Sequence, residues 1–468
     1  MSVNFSAEEK IFKSICYFSI KFLICISVFN FLIVKLSFSQ VAEDLAKEES
    51  VKILDLKSLE TSESVILSNQ KVRELIKLAM DLSPFLKEAE FNAAATIQEI
   101  KAARGARLPR VIATGQSNFS WSDIPNAAVA SGTPSLTLSA TAPIYDWGQI
   151  TATIKGREAA RDAAWARYDS LTRQLAVEVV TLCLEVNKRV ALLDATRTYQ
   201  SKLRNLFNML LKIKDADPGR AGEFVQTESR LLQSQLQEET FISSLKEIEI
   251  RLSRIIGKNQ SKKCEGIGPG FISIPKLESL RDKIESHPQL KTLEALYQQQ
   301  LRNLDAITAS RKPRVNVTAA RAPVSPGISN LYANSLAFTV TAPVYDGRIL
   351  QSTQRATLER ASGAAERKEQ FRRQFDAQIR EQFKQAEINL YRADKYVKLI
   401  EVSDRVRADF FLQWSSLGRK SLFQLLAIES EQYGLQSNYY QALYTGMTSV
   451  ARISGDSGLL TEDMGLSE

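Results

Sequence analysis

Ala140-Thr141-Ala142-Pro143-Ile144-Tyr145-Asp146 returns 200 residues later as Val340-Thr341-Ala342-Pro343-Val344-Tyr345-Asp346. The echo extends in both directions. Upstream, Arg107-Leu108-Pro109-Arg110-Val111 is matched by Arg311-Lys312-Pro313-Arg314-Val315, and Ser83-Pro84 with Leu86 and Lys87 is matched by His287-Pro288 with Leu290 and Lys291. Downstream, Gly219-Arg220 is matched by Gly418-Arg419. The offset stays close to 200 residues throughout. That is far longer than the period of about 20–50 residues of a solenoid, so a unit of domain size has been duplicated.

The residues leading into each echo alternate. From Val111 to Trp121 one face reads Val111, Ala113, Gly115, Ser117, Phe119, Trp121, and the other Ile112, Thr114, Gln116, Asn118, Ser120. After a loop with Asp123, Pro125, Asn126, Gly132 and Pro134, Leu136, Leu138, Ala140 and Ala142 alternate with Thr137, Ser139 and Thr141. The second copy sets Val315, Val317, Ala319, Leu336, Phe338, Val340 and Ala342 against Asn316, Thr318, Thr339 and Thr341. Period-two alternation over about ten residues predicts strand hairpins long enough to cross a bilayer at a tilt.

Beyond each hairpin the chain turns helical. Tyr145 to Asp217, and Val344 to the C-terminus, hold no proline. Ile379, Phe383, Ala386, Leu390, Ala393, Val397 and Ile400 step by four and three, as do Leu422, Leu426, Glu429, Tyr433, Gln436, Tyr440, Leu443, Met447 and Val450, which is a coiled-coil seam. Asp217-Pro218-Gly219 and Leu417-Gly418 are the expected points of reversal. Upstream, Lys71 to Arg107 reads helical, with Pro84 placed to open a helix.

The expected organisation is a signal peptide over 1–39, an exposed N-terminal segment over 40–70, and repeat 1 over 71–257, with a strand hairpin at 111–144 and a helical hairpin at 145–256. A Gly-, Lys-, Ser- and Pro-rich linker over 258–275 follows. Repeat 2 covers 276–455, with its hairpins at 315–344 and 345–454, and a tail closes the chain over 456–468. The signal peptide rests on Lys10, Lys13 and Lys21 ahead of the apolar run Phe22 to Val34, with small-residue endings that allow cleavage after Ser39 or Ala42. Residues 1–39 carry four basic and two acidic side chains, so the remainder keeps +6 of the chain's +8. That balance calls for no nucleic-acid partner.

The chain has a single histidine, His287. That argues against histidine triads, histidine metal sites and histidine acid–base chemistry. There is no Walker loop, dinucleotide fingerprint, zinc spacing or nucleophile elbow. No enzyme, metal or cofactor is expected. His287-Pro288 reads as the start of a helix. Asp146 and Asp346 each follow a strand and precede a helix, and so read as N-caps. Tyr145 and Tyr345 fit an aromatic belt at a membrane interface. Arg372-Arg373 reads as a solvated helix face. Two cysteines remain after cleavage, Cys183 and Cys264, and a disulfide between them is permitted but not established.

Four strands cannot close a barrel alone, and an open sheet edge in lipid leaves backbone groups unpaired. The strands must therefore close against those of other chains. With the duplicated Ala-Pro-[Ile/Val]-Tyr-Asp, the Pro-Arg-Val strand starts and the Gly-Arg reversals, the sequence resembles the TolC family of outer-membrane channels from about Lys71 to Leu460. The resemblance implies a mixed membrane fold, a homotrimer whose twelve-stranded outer-membrane β-barrel continues into an α-helical periplasmic tunnel. It implies a passive conduit in the outer membrane, reaching into the periplasm to a periplasmic adaptor and an inner-membrane ABC exporter or pump. Adaptor docking is expected at Gly219, Arg220, Ala221, Gly222, Gly418, Arg419, Lys420 and Ser421, and the strand-to-helix junctions at Pro143, Tyr145, Asp146, Pro343, Tyr345 and Asp346. The tips resemble members serving type I secretion of large adhesins, with multidrug efflux the alternative. The family carries aspartates after the second tip glycine. Here Gln424 and Ala427 stand there, so the periplasmic constriction is expected to lack an acidic ring. A soluble periplasmic coiled-coil scaffold or adaptor is the reading from a different class, but two helical hairpins with two bilayer-length strand pairs favour the channel.

Overall fold

The computed structural model describes residues 62–117, 135–214, 221–257, 264, 275–323, 332–415 and 421–460. The expected signal peptide, most of the N-terminal segment, and both reversal points lie outside them.

The elements run α1 (Ser62–Leu82), α2 (Pro84–Gly105), β1 (Arg110–Gln116), β2 (Ser135–Tyr145), α3 (Gln149–Lys214), α4 (Ala221–Ile256), α5 (Leu277–Asp282), α6 (Pro288–Ser310), β3 (Arg314–Pro323), β4 (Tyr332–Thr341), α7 (Ile349–Ser415) and α8 (Leu422–Asp456). The helical reading of Lys71 to Arg107 resolves into two helices. The break is Ser83, whose Oγ accepts from the Leu86 N–H at 3.3 Å, with Pro84 in the first turn where its missing N–H costs nothing. His287 repeats this at the start of α6, its Nδ1 accepting from the Gln289 N–H at 3.1 Å. α1 begins inside the segment expected to be exposed. Leu459 and Leu460, at the head of the expected tail, pack on the core.

The four strands form one antiparallel sheet in the order β1-β2-β3-β4. β3 reaches Pro323 and β4 starts at Tyr332, so the second strand connection is short. α3 and α7 are 66 and 67 residues long, about 100 Å each at about 1.5 Å per residue. Both start later than the sequence suggests, at Gln149 and Ile349, because the aspartate ahead of each caps the first turn.

Near the sheet the helices pack in the series α2, α3, α6, α7, the same order as the strands they adjoin. Farther along, α4 returns against α3, and α8 against α7 and α3. The largest buried cluster lies where these sets meet. It joins Val72, Leu75 and Ile76 of α1, Val179 and Val180 of α3, Leu252 and Ile256 of α4, Ile379 and Leu390 of α7, and Met447 and Val450 of α8. A second cluster toward the reversals holds Leu203, Leu206 and Leu210 against Leu422, Leu425 and Leu426. Gly446 allows α8 close against α7, where an added Cβ would stand 2.7 Å from Leu390 Cγ.

One residue of the expected linker, Cys264, is tied to this core. Cys264 is buried and bonded to Cys183 of α3, and the Asn187 side-chain amide donates to the carbonyls of both, at 2.8 Å to Cys183 and 2.7 Å to Cys264. The open question of the two cysteines is thereby answered.

Candidate functional site

The register sorts the strand side chains onto two faces. Val111 lies opposite Ala140, Ala113 opposite Leu138, Ala140 opposite Ala319, Ala142 opposite Val317, and Val317 opposite Phe338. These define an apolar face that is exposed, with Phe338 68% accessible. An apolar face this open to its surroundings fits contact with lipid. On the other face Thr114 lies opposite Thr137, and Thr141 opposite Thr318, whose hydroxyls hydrogen-bond at 3.1 Å. Among the described residues, β1 and β4 each pair on one side only.

Each hairpin passes into its long helix through the same device. The Asp146 carboxylate accepts from the Gly148 N–H at 3.0 Å and the Ile150 N–H at 2.6 Å. Asp346 accepts from the Arg348 N–H at 3.0 Å and the Leu350 N–H at 2.7 Å. Between cap and helix, Trp147 and Gly148 take φ of 55° and 84°, and Gly347 and Arg348 take 63° and 68°. Two left-handed residues after a strand reverse the chain sharply, and the carboxylate satisfies the amides that the reversal leaves free. A negative charge there also suits the helix N-terminus.

Around this shared turn the two junctions differ. In the first, Trp147 Nε1 donates to the Pro313 carbonyl at 2.7 Å, Lys312 Nζ sits 4.8 Å from the Trp147 ring, and Tyr145 meets that ring edge-on at 4.9 Å. In the second, glycine replaces the tryptophan and Tyr345 is 87% exposed. Sequence reasoning picked out Pro143, Tyr145 and Asp146 but passed over Trp147. A large aromatic in one repeat where the other has glycine was the available signal.

At the reversals, Ala221 and Gly222 open α4, and Ser421 caps α8. Gly219, Arg220, Gly418, Arg419 and Lys420 lie outside the described residues. Gln424 folds back on the cap: Ser421 Oγ accepts from its N–H at 3.4 Å, and its Oε1 accepts from the Ser421 N–H at 3.3 Å. Gln424 and Ala427 both sit on an exposed face of α8.

Close behind the reversals lies a buried ionic cluster. Glu429 of α8, 4% exposed, takes Arg407 Nη1 of α7 at 3.1 Å and faces Lys202 Nζ of α3 at 3.5 Å. Arg407 also reaches Asp404 at 3.2 Å. Glu429, the one charged residue in its coiled-coil seam, was the sequence signal for this cluster. Among the described residues no group of His, Cys, Asp and Glu is placed to hold a metal ion, and no helix is long and apolar enough to cross a membrane. The sheet is the segment whose apolar face suits lipid, and β2, β3 and β4, at 11, 10 and 10 residues, have the length of a bilayer-crossing strand.

Residues 75–258 match the family model described as outer membrane efflux protein. No curated protein matches the chain in sequence. Solved structures do match in fold. The outer membrane protein VceC of Vibrio cholerae superposes with a TM-score of 0.72 at 14% identity, over 83% of this chain and 96% of that one. The CmeC outer membrane channel of Campylobacter jejuni gives 0.73 at 11% identity, over 83% and 86%. The MtrE outer membrane channel of Neisseria gonorrhoeae, solved in its open state, gives 0.70 at 14% identity, over 83% and 89%. Residues 75–258 carry the outer membrane efflux protein family's signature, and the chain has the fold of the TolC-family outer-membrane channels.

Proposed function

We propose that the chain is a passive outer-membrane conduit, in which three copies pool their strands into one twelve-stranded barrel that continues into a periplasmic tunnel of helices. The observation that carries this reading is the sheet: four strands with an exposed apolar face, unpaired at both edges among the described residues, feeding through aspartate-capped turns into helices of about 100 Å. Lipid does not tolerate such edges, and further copies supply their partners. The Thr-, Ser- and Asn-bearing face then lines a wet lumen. Energy comes from partners, a periplasmic adaptor at the helix tips and an inner-membrane ABC exporter or pump beyond it.

For cargo, the tip sequences Gly219-Arg220-Ala221-Gly222 and Gly418-Arg419-Lys420-Ser421 support type I secretion of a large protein. The family's own description supports a second reading, small-molecule efflux. Deleting the gene separates them. Loss of a surface protein with unchanged drug tolerance favours secretion, and increased drug sensitivity with the surface protein retained favours efflux. Docking at the tips is tested by replacing Gly418 with valine, which is expected to stop export while the oligomer still assembles. Export that survives tip substitutions at both Gly219 and Gly418 places docking elsewhere. Gln424 and Ala427 are proposed to ring the periplasmic entrance without acidic charge.

A further inference from the structure

The strands carry charge of one sign only. Among the described residues, the charged side chains of β1 to β4 are Arg110, Arg314 and Arg321, with no aspartate or glutamate in any of the four. Two of the three occupy one place in the duplicated unit. Pro109-Arg110-Val111 and Pro313-Arg314-Val315 are equivalent, so each repeat opens its first strand with an arginine.

The register puts both of these on the polar face. Arg110 lies opposite Thr141, whose hydroxyl bonds that of Thr318, and Arg314 lies opposite Thr341. Residues directly opposite in an antiparallel pair share a face. Both arginines are exposed. Arg321 differs: it lies opposite Leu138, on the apolar face and toward the other end of β3.

Little nearby offsets the two cations. Arg314 Nη2 donates to Gln149 Oε1 at 2.7 Å, a neutral partner, and neither arginine pairs with a carboxylate among the described residues. The carboxylates of the two junctions, Asp146 and Asp346, are each taken up by two backbone amides. Neighbouring cations also meet uncharged groups, Arg107 the Thr151 hydroxyl at 2.9 Å and Arg311 the Gln354 amide oxygen at 2.9 Å. Positive charge is thus in excess where the sheet passes into the helices.

We propose that Arg110 and Arg314 form a ring at the periplasmic mouth of the barrel lumen and make the conduit prefer anions. This rests on the reading of three copies sharing one barrel with the polar face inside, and it names the charge class of what passes. Three copies supply six such arginines, at one level because equivalent places in the repeats share a height in a closed barrel. Twelve strands about 4.8 Å apart and tilted by about 40° close a wall about 24 Å across between backbones. The axis then lies about 12 Å from the backbone, and nearer to guanidinium groups that reach inward. That is close to the Debye length of about 8–10 Å at physiological salt, so the field of the ring spans the opening. Rings of arginine or lysine select anions as rings of carboxylates select cations, and lumen side chains tune the selectivity of a barrel. Arginine stays charged at every pH the protein meets, so the preference is permanent.

Conductance in planar bilayers tests this with the full-length oligomer in a gradient of potassium chloride, whose two ions have nearly equal mobility. At about 0.1 M salt the reversal potential should give a chloride-to-potassium permeability ratio of about threefold or more. The ratio should fall toward unity at about 1 M, where the Debye length shrinks to about 3 Å. At low salt, Arg110→Gln with Arg314→Gln should bring the ratio close to unity. Arg110→Lys with Arg314→Lys should retain it, and Arg321→Gln should leave it unchanged. If the glutamine pair does not assemble, the single variants, each losing part of the preference, and the salt series on the parent decide. The ring is overturned by a conducting parent that shows no preference, prefers potassium, or keeps its anion preference at high salt. It is equally overturned if the glutamine variants conduct with the parent's ratio, the lysine pair loses the preference, or Arg321→Gln abolishes it. All of these leave the shared barrel standing. A folded monomer by light scattering that conducts nothing overturns the shared barrel itself.

Discussion

Replacing Arg407 by leucine tests whether the ionic cluster behind the tips holds three helices together. Glu429 has a 4% exposed side chain, with Arg407 of α7 at 3.1 Å and Lys202 of α3 at 3.5 Å. Its Oε2 makes no hydrogen bond, and its Oε1 accepts from Arg407. Removing one partner of a buried ion pair costs about 3–5 kcal/mol, because the other charge stays buried. Two features bring this case below that range. Lys202 remains, and the Arg407 and Lys202 side chains are themselves 27% and 30% exposed, so water reaches the cluster. Arg407→Leu should then cost about 2–3 kcal/mol. Replacing both Arg407 and Glu429 by leucine should restore most of that, with a coupling energy of about 2 kcal/mol in the double-mutant cycle. The assay is denaturant unfolding of the detergent-extracted protein, followed by far-ultraviolet circular dichroism. An Arg407→Leu protein within about 0.5 kcal/mol of the parent, or a double variant no more stable than the single, refutes a buried and mutually dependent cluster.

Replacing both Cys183 and Cys264 by alanine opens a closed loop of 81 residues and should cost about 4–5 kcal/mol in denaturant unfolding, with the helical content of the folded protein unchanged. Gly446→Val forces a side chain onto Leu390 and should destabilise the α7–α8 packing by about 1–3 kcal/mol, seen as a lower thermal midpoint. Burial, with the Arg173 charge, pushes His287 down to about 4 from its usual 6.5, so the neutral ring caps α6. Its stabilising effect is whole above pH 6.5 and falls away as pH drops toward 4, and His287→Asn should flatten that part of the stability curve. Burial pushes Asp456 up to about 6, against the pull of Arg452 and Gln378, giving stability that is whole below 3.8 and lost as pH rises through 6, so the histidine effect is best read in an Asp456→Asn background.

The fold was legible because duplication let each signal be read twice. Alternation gave the strands and their faces, the four-and-three stepping gave the long helices, and Asp146 and Asp346 marked their starts. These are local signals, carried by neighbouring residues. What escaped the sequence depends on contacts between distant segments. Cys264 meets Cys183 across 81 residues of sequence, and Asn187 joins them through backbone carbonyls that no pattern announces. Lys202, Arg407 and Glu429 belong to three helices, and only the misplaced carboxylate hinted at the cluster. Trp147 was hidden by the very likeness that made its neighbours visible, since attention fell on what the repeats share. Gln424, read from the resemblance as a constriction residue, also serves as half of a capping box, a role that its spacing from Ser421 already allowed.

The central claim is that four strands from each copy close one barrel. The mass of the full-length protein in detergent, by light scattering after size-exclusion chromatography, tests it most directly. The account predicts a monodisperse particle of three chains, with no folded monomer in exchange with it. A monodisperse, folded monomer would contradict it, because the edges of β1 and β4 would then be tolerated without partners.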